Sequence, residues 1–130
     1  MSTFADSLPI LVIEDEPSVL AYIRTALTRS GYNVACAPSG GRAMEMLKGG
    51  RFFGVISDMR MPGDVDGADI YDWLYANNPE LASRLFFVTG DTMNPDTAAA
   101  LERTGVPYIE KPFRVEPLID LVRKVIGVPG

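Results

Sequence analysis

Polar residues able to do chemistry recur where short apolar runs end. The run 10–13 leads into Glu14 and Asp15, 52–57 into Asp58, 85–89 closes on Thr89, and 107–109 leads into Glu110 and Lys111. If these ends lie side by side, three carboxylates share one partly dry site, where mutual repulsion pushes each toward protonation unless a cation holds them together. Oxygen donors without nitrogen or sulfur suit Mg²⁺, or Mn²⁺, which keeps water in its shell and commonly shares it with a phosphate. Thr89 and Lys111 then read as a hydroxyl donor and a compact cation for phosphoryl oxygens. One carboxylate in such a site can act as a nucleophile and become an acyl phosphate. Asp58 is the candidate, because its strand is flanked by the others. A plainer reading is that each acid caps the helix after it. That accounts for one acid at a time, but not for Thr and Lys at the next two ends.

Composition narrows the alternatives. The chain has 130 residues, room for one domain, with 47% hydrophobic and 22% charged residues. That balance belongs to a folded globular chain. It contains no histidine, which excludes a Ser-His-Asp triad and most transition-metal sites. Its single cysteine, Cys36, forms neither an internal disulfide nor a zinc site and fits a small apolar role in a reducing compartment. A net charge of −5 repels nucleic acid and anionic membrane, so direct binding to either is not expected. The first apolar run is broken by Glu14 and has no basic residues before it, so it resembles neither a signal peptide nor a membrane span. A cytoplasmic location is expected.

The elements that position these residues are legible in the pattern. Runs 10–13, 32–36, 52–57, 85–89 and 107–109 have strand length and are rich in branched and aromatic residues. Between them, helical spacing links Val19, Ile23, Ala26 and Leu27, and later Leu118, Ile119, Val122 and Ile126. A less regular helix is expected from near Asp66 to just before Pro79, with Ile70, Trp73 and Leu74 on one face. Pro17 suits a first helical turn, Gly31 and Gly105 suit left-handed stops, and Ser39 suits a cap. The order is (βα)5, an α/β fold. Strands apolar along their whole length indicate a parallel, doubly wound sheet, and ligands in such sheets gather outside the carboxyl ends of the strands. Residues 8–126 form this domain, with a polar extension at 1–7 and a Gly/Pro tail at 127–130 expected to fray.

From Leu8 to Ile126 the chain resembles the receiver domain of two-component response regulators, through the acidic pair Glu14 and Asp15, Asp58 in SDMRMPG, Thr89 in FVTGD and Lys111 in EKPF. The stretches FVTGDTMNPDT and LERTGVPYIEKPF are similar in particular to receivers at the C-terminus of hybrid sensor histidine kinases. The resemblance implies a flavodoxin-like (CheY-like) fold with strand order 2-1-3-4-5. It implies phosphorylation of Asp58 by a histidine kinase or histidine phosphotransfer domain, with Mg²⁺ (or Mn²⁺) held by Asp15, Asp58 and the backbone carbonyl of Arg60, and by Glu14 partly through water. Thr89 and Lys111 are drawn to the phosphoryl oxygens. Tyr108, three residues before Lys111, is the switch aromatic that follows Thr89 inward. The face of the fourth helix, fifth strand and fifth helix is the surface remodelled for an output partner. Lys111 to Pro112 is expected to be cis.

Three departures from the family pattern stand out. The turn after Asp58, from Met61 to Gly67, is one residue longer than usual. Glu14 replaces the commoner aspartate. Arg60 and Asp91, at rim positions that modulate phosphoryl lifetime in the family, carry opposite charges and are expected to pair across the pocket. Two rival functions are weighed. A small aspartyl-nucleophile phosphohydrolase usually has a second acid two residues after the nucleophile, where this chain has Arg60. An interaction module with a degenerate pocket is disfavoured by the intact set of Asp15, Asp58, Thr89 and Lys111. Trp73, Phe52, Phe86 and Phe87 read as packing residues. Gly40 and Gly41 lack the following lysine of a phosphate loop and read as a helix start.

Overall fold

Strands and helices alternate along the computed structural model, which describes residues 8–129; the extension at 1–7 and Gly130 lie outside them. The elements are β1 (Ile10–Ile13), α1 (Pro17–Arg29), β2 (Val34–Ala37), α2 (Gly40–Gly49), β3 (Gly54–Asp58), α3 (Gly67–Asn77), α4 (Pro79–Ala82), β4 (Leu85–Thr89), α5 (Pro95–Thr104), β5 (Tyr108–Glu110) and α6 (Val115–Val125). The five strands form one parallel sheet in the order β2-β1-β3-β4-β5.

Side-chain alternation explains why the central strands are mostly apolar, with Ser57, Asp58 and Thr89 as their polar positions. Ile10, Val12, Ile56, Phe86 and Val88 enter a core with Ile23 and Leu27 of α1 and Leu118 and Val122 of α6. Leu11, Ile13, Val55, Leu85 and Phe87 point the other way, toward Leu47 of α2 and Ile70 and Leu74 of α3. Both faces are covered, so a polar residue at either set of positions must find a local partner, as the Ser57 hydroxyl does in donating to the Asp58 carbonyl at 2.8 Å. Polar residues gather where the strands run out of helix cover, and that edge carries the candidate site.

The helix boundaries follow local chemistry. Ser39 accepts the Arg42 amide at 3.1 Å, as expected of a cap. Asp66 and Asp69 form a reciprocal capping box at the start of α3. Gly105 ends α5 in the left-handed conformation (φ 65°), where a Cβ would be strained. The expected helix before Pro79 is followed by a further short turn, α4, because Asn78 accepts the Leu81 amide and Pro79 suits its first position. The tail expected to fray is tied at Gly127, whose carbonyl accepts the Tyr32 hydroxyl at 2.6 Å.

Candidate functional site

Sheet register brings the polar strand ends together. Asp58 pairs with Val88 across β3 and β4, and Thr89 pairs with Glu110 across β4 and β5. The Lys111 amide then donates to the Thr89 carbonyl at 2.8 Å, fixing the lysine just beyond β5. Lys111 and Pro112 are joined by a cis peptide bond. From there Lys111 Nζ reaches Asp58 Oδ2 at 3.1 Å, Glu14 Oε1 at 2.9 Å and Glu16 Oε1 at 3.2 Å. Asp58 Oδ1 accepts the Arg60 amide at 3.4 Å. Thr89 is buried at the end of the neighbouring strand, its hydroxyl accepting the Asp91 amide at 3.4 Å.

Burial sets the electrostatics. The Glu14 side chain is fully enclosed, and burial pushes its carboxyl up to about 7 against the pull of Lys111 and of the Glu16 amide, which donates to Glu14 Oε2. Burial by itself lowers the basicity of Lys111, but Glu14 and Asp58 more than offset it and hold the ammonium firmly charged. Glu14 Oε1 lies at ion-pair distance from Lys111 without an aligned hydrogen bond, leaving a buried oxygen with an unused lone pair.

Among the described residues, the acids around that oxygen suit a hard divalent cation. Oxygens of Glu14, Glu16 and Asp58 lie within 4.8 Å of one another, and the set contains no nitrogen or sulfur. Asp15, expected from the sequence to hold the ion, is half-buried and is not one of the three converging acids. Glu16 is the residue the sequence reading missed. The chain bends at residue 15 between β1 and α1, and residue 16 (φ −85°, ψ 114°) precedes the first turn of α1 with its carboxylate 3.2 Å from Lys111 Nζ. The sequence carried no clear signal for it, since the bend at residue 15 sets where its carboxylate points.

The rim differs from expectation. Arg60 does not pair with Asp91; its guanidinium donates to Asn94 Oδ1 at 3.1 Å and lies 4.0 Å from Asp96. Asp91 is occupied locally, accepting the Asn94 amide at 3.1 Å, so the N-terminal turn of α5 stands between the two expected partners. The longer turn 61–67 is closed by the Gly67 amide donating to the Met59 carbonyl at 3.0 Å. Gly67 is required there, since a Cβ would sit 2.5 Å from the Asp58 carbonyl oxygen. Tyr108 points outward, 45% exposed on the edge strand. At the mouth of the site, a groove of about 610 Å³ is lined by Glu16, Val19, Tyr22, Gly90, Lys111 and Phe113.

Comparison with known proteins gives concordant results. Residues 10–123 match the family model of the response regulator receiver domain. The chain is 30% identical over 128 residues to the probable transcriptional regulatory protein TcrX of Mycobacterium tuberculosis, covering 97% of this chain and 53% of that protein. It is 28% identical over 120 residues to the response regulator MprA of Mycobacterium ulcerans, covering 92% and 50%. The chain thus spans about half the length of these curated relatives. Among solved structures, a response regulator receiver protein from Sinorhizobium medicae superposes with a TM-score of 0.82 at 27% identity, covering 97% of this chain and 99% of that one. The receiver domain of NtrX from Brucella abortus superposes at 0.79 and 26%, covering 90% and 97%.

Proposed function

The chain belongs to the response regulator receiver domain family, and from that premise we propose that it accepts a phosphoryl group on Asp58 from a phosphohistidine and reports it through a change of surface. The observation that carries this reading is the contact of Lys111 Nζ with Asp58 Oδ2 at 3.1 Å, beside the enclosed carboxylate of Glu14. An Asp58 oxygen forms the new P–O bond while the P–N bond breaks, its electron pair returning to the donor imidazole. A bound Mg²⁺ or Mn²⁺ would neutralise charge on the transferring group. Glu14, Asp58 and the Arg60 carbonyl would hold it, with Asp15 joining them by turning in from its half-buried position next to Glu14. Lys111 donates to phosphoryl oxygens from its fixed place beyond β5, and the buried Thr89 hydroxyl turns from the Asp91 amide to do the same.

The readout runs through Tyr108. Thr89 lies two strand positions from the residue paired with Tyr108, so movement of Thr89 toward Asp58 opens space into which the outward-facing ring can turn. The face of α5, β5 and α6 would then change shape for an output partner. The phosphoryl donor is a histidine kinase or histidine phosphotransfer domain. Arg60 and Asp91 modulate the lifetime of the mark separately, each from its own contact with Asn94. The net charge of −5 argues against this domain touching nucleic acid or an anionic membrane itself. Among the described residues no helix is long and apolar enough to cross a membrane. A cytoplasmic setting agrees with a partner that carries phosphohistidine.

Wider context rests on the sequence. The stretches around Thr89 and Lys111 favour a receiver carried at the C-terminus of a hybrid kinase, while the relatives named above are regulators. Incubation with acetyl phosphate and Mg²⁺ tests the central claim. An acid-stable mass increase of one phosphoryl group, or label that survives Asp58→Asn, would overturn it; an alkali-labile increase lost in Asp58→Asn is expected. Multiple turnover on a phosphate monoester would instead revive the phosphohydrolase reading, which Arg60 in place of a second acid disfavours.

A further inference from the structure

Lys111 divides its contacts unequally. Its directed hydrogen bonds go to Asp58 Oδ2 at 3.1 Å and Glu16 Oε1 at 3.2 Å, whereas Glu14 Oε1, the nearest oxygen at 2.9 Å, receives charge without an aligned bond. The three acids also differ in their access to water. The side chains of Glu14 and Asp58 are 0% and 7% exposed, and that of Glu16 is 59% exposed, on the groove that opens to solvent. The enclosed Glu14 oxygen thus lies against the ammonium without a directed bond, while Glu16 bonds the same ammonium from the groove side.

A divalent cation entering between Glu14 and Asp58 competes with Lys111 for the same two carboxylates and repels it. Moving the ammonium fully into water would remove a donor that the phosphoryl group needs. A carboxylate at the mouth solves both difficulties, because it offsets the repulsion and keeps the ammonium within reach. We propose that Glu16 is a positioning residue that acts through Lys111, anchoring the ammonium at the mouth of the site when a divalent cation takes up Glu14 and Asp58. The inference rests on the reading of the site as a cation-assisted phosphoryl acceptor.

Mn²⁺ alone, counted by electron paramagnetic resonance, provides the test. Glu16→Gln keeps the length and a hydrogen-bonding end but removes the charge, and should weaken Mn²⁺ binding about two- to fivefold, the scale of a single exposed ion pair. Glu16→Asp, which retains the charge, should recover most of the affinity. In a Lys111→Met background the Glu16→Gln change should have no further effect, since a residue acting through Lys111 has nothing left to position. Unchanged binding in Glu16→Gln, or the same loss with and without Lys111, would overturn the proposal. Failure of the underlying reading looks different: the native chain would then neither bind Mn²⁺ nor become labelled at Asp58. Circular dichroism of each variant separates these results from misfolding.

Discussion

Lys111 Nζ lies 3.1 Å from Asp58 Oδ2, although 53 residues separate the two in sequence. The contact exists because β3, β4 and β5 are neighbours in register, so a lysine just beyond one strand meets an aspartate at the end of another. On the proposed function it joins the phosphoryl acceptor to the group that would later hold the phosphoryl oxygens. Fold and chemistry therefore meet in one ion pair.

Removing the ammonium leaves two close, poorly solvated carboxylates. Lys111→Met should lower unfolding free energy by about 1–3 kcal/mol in metal-free buffer at neutral pH, the range for losing a charged hydrogen bond with buried partners. Urea denaturation measures this. A divalent cation should restore part of the loss, because it supplies the positive charge that the methionine lacks. Acetyl phosphate labelling should fall even where the variant remains folded.

Gly67 tests the backbone behind Asp58. A Cβ there would lie 2.5 Å from the Asp58 carbonyl oxygen and 3.1 Å from the Phe87 ring. Backbone on one side and the core on the other leave little freedom to yield, so Gly67→Ala should cost about 1–3 kcal/mol by overpacking. Because the strained contact is with Asp58 itself, phosphoryl uptake should slow by more than the stability loss explains. Gly63→Ala is a useful comparison, with φ at 101° but open space around it; it should lose stability through backbone strain alone.

Much of this was legible in the sequence, for a physical reason. Strands covered on both faces are mostly apolar, so the polar residues Glu14, Asp58, Thr89 and Lys111 at their ends marked the uncovered edge, while the buried Ser57 is satisfied locally by the Asp58 carbonyl. Individual side-chain partners were less legible. Opposite charge at Arg60 and Asp91 pointed to a pair, but charge carries no geometry, and Asn94 lies between them. Glu16 was not legible because the bend at residue 15, which carries its carboxylate to Lys111, leaves no mark in the residue spacing. Short α4 was hidden by Pro79, which reads equally as the end of one helix and the start of another.

Asn94 gathers three donors on one oxygen: the amides of Asp96 and Thr97 and the Arg60 guanidinium. Asn94→Ala removes the cap of α5 and should cost about 0.5–2 kcal/mol. Arg60→Ala loses only an exposed contact and should change stability by no more than about 0–1 kcal/mol. The same pair of variants should separate stability from signalling, since Arg60→Ala is expected to alter the half-life of the acyl phosphate while leaving the urea midpoint nearly unchanged. A large stability change in Arg60→Ala would show that the guanidinium holds the loop in place.

Glu14 gives the site a pH dependence whose sign depends on the cation. In the folded, metal-free chain burial raises its carboxyl from 4.5 to about 7, so between those values the folded state holds a proton that the unfolded state has released. Stability then falls as pH rises across that interval, since it declines wherever the folded state binds more protons. Thermal unfolding in EDTA should accordingly show a higher midpoint at pH 5.5 than at pH 7.5. Glu14→Gln, which cannot titrate, should flatten the difference; a slope that persisted in that variant would assign it to another group. Saturating Mg²⁺ should act in the opposite sense. A cation binds the ionised carboxylate, so the stabilisation it confers grows as pH rises toward 7 and levels off above it. The gap between the midpoints with and without Mg²⁺ should widen from pH 5.5 to pH 7.5 in the native chain and widen less in Glu14→Gln.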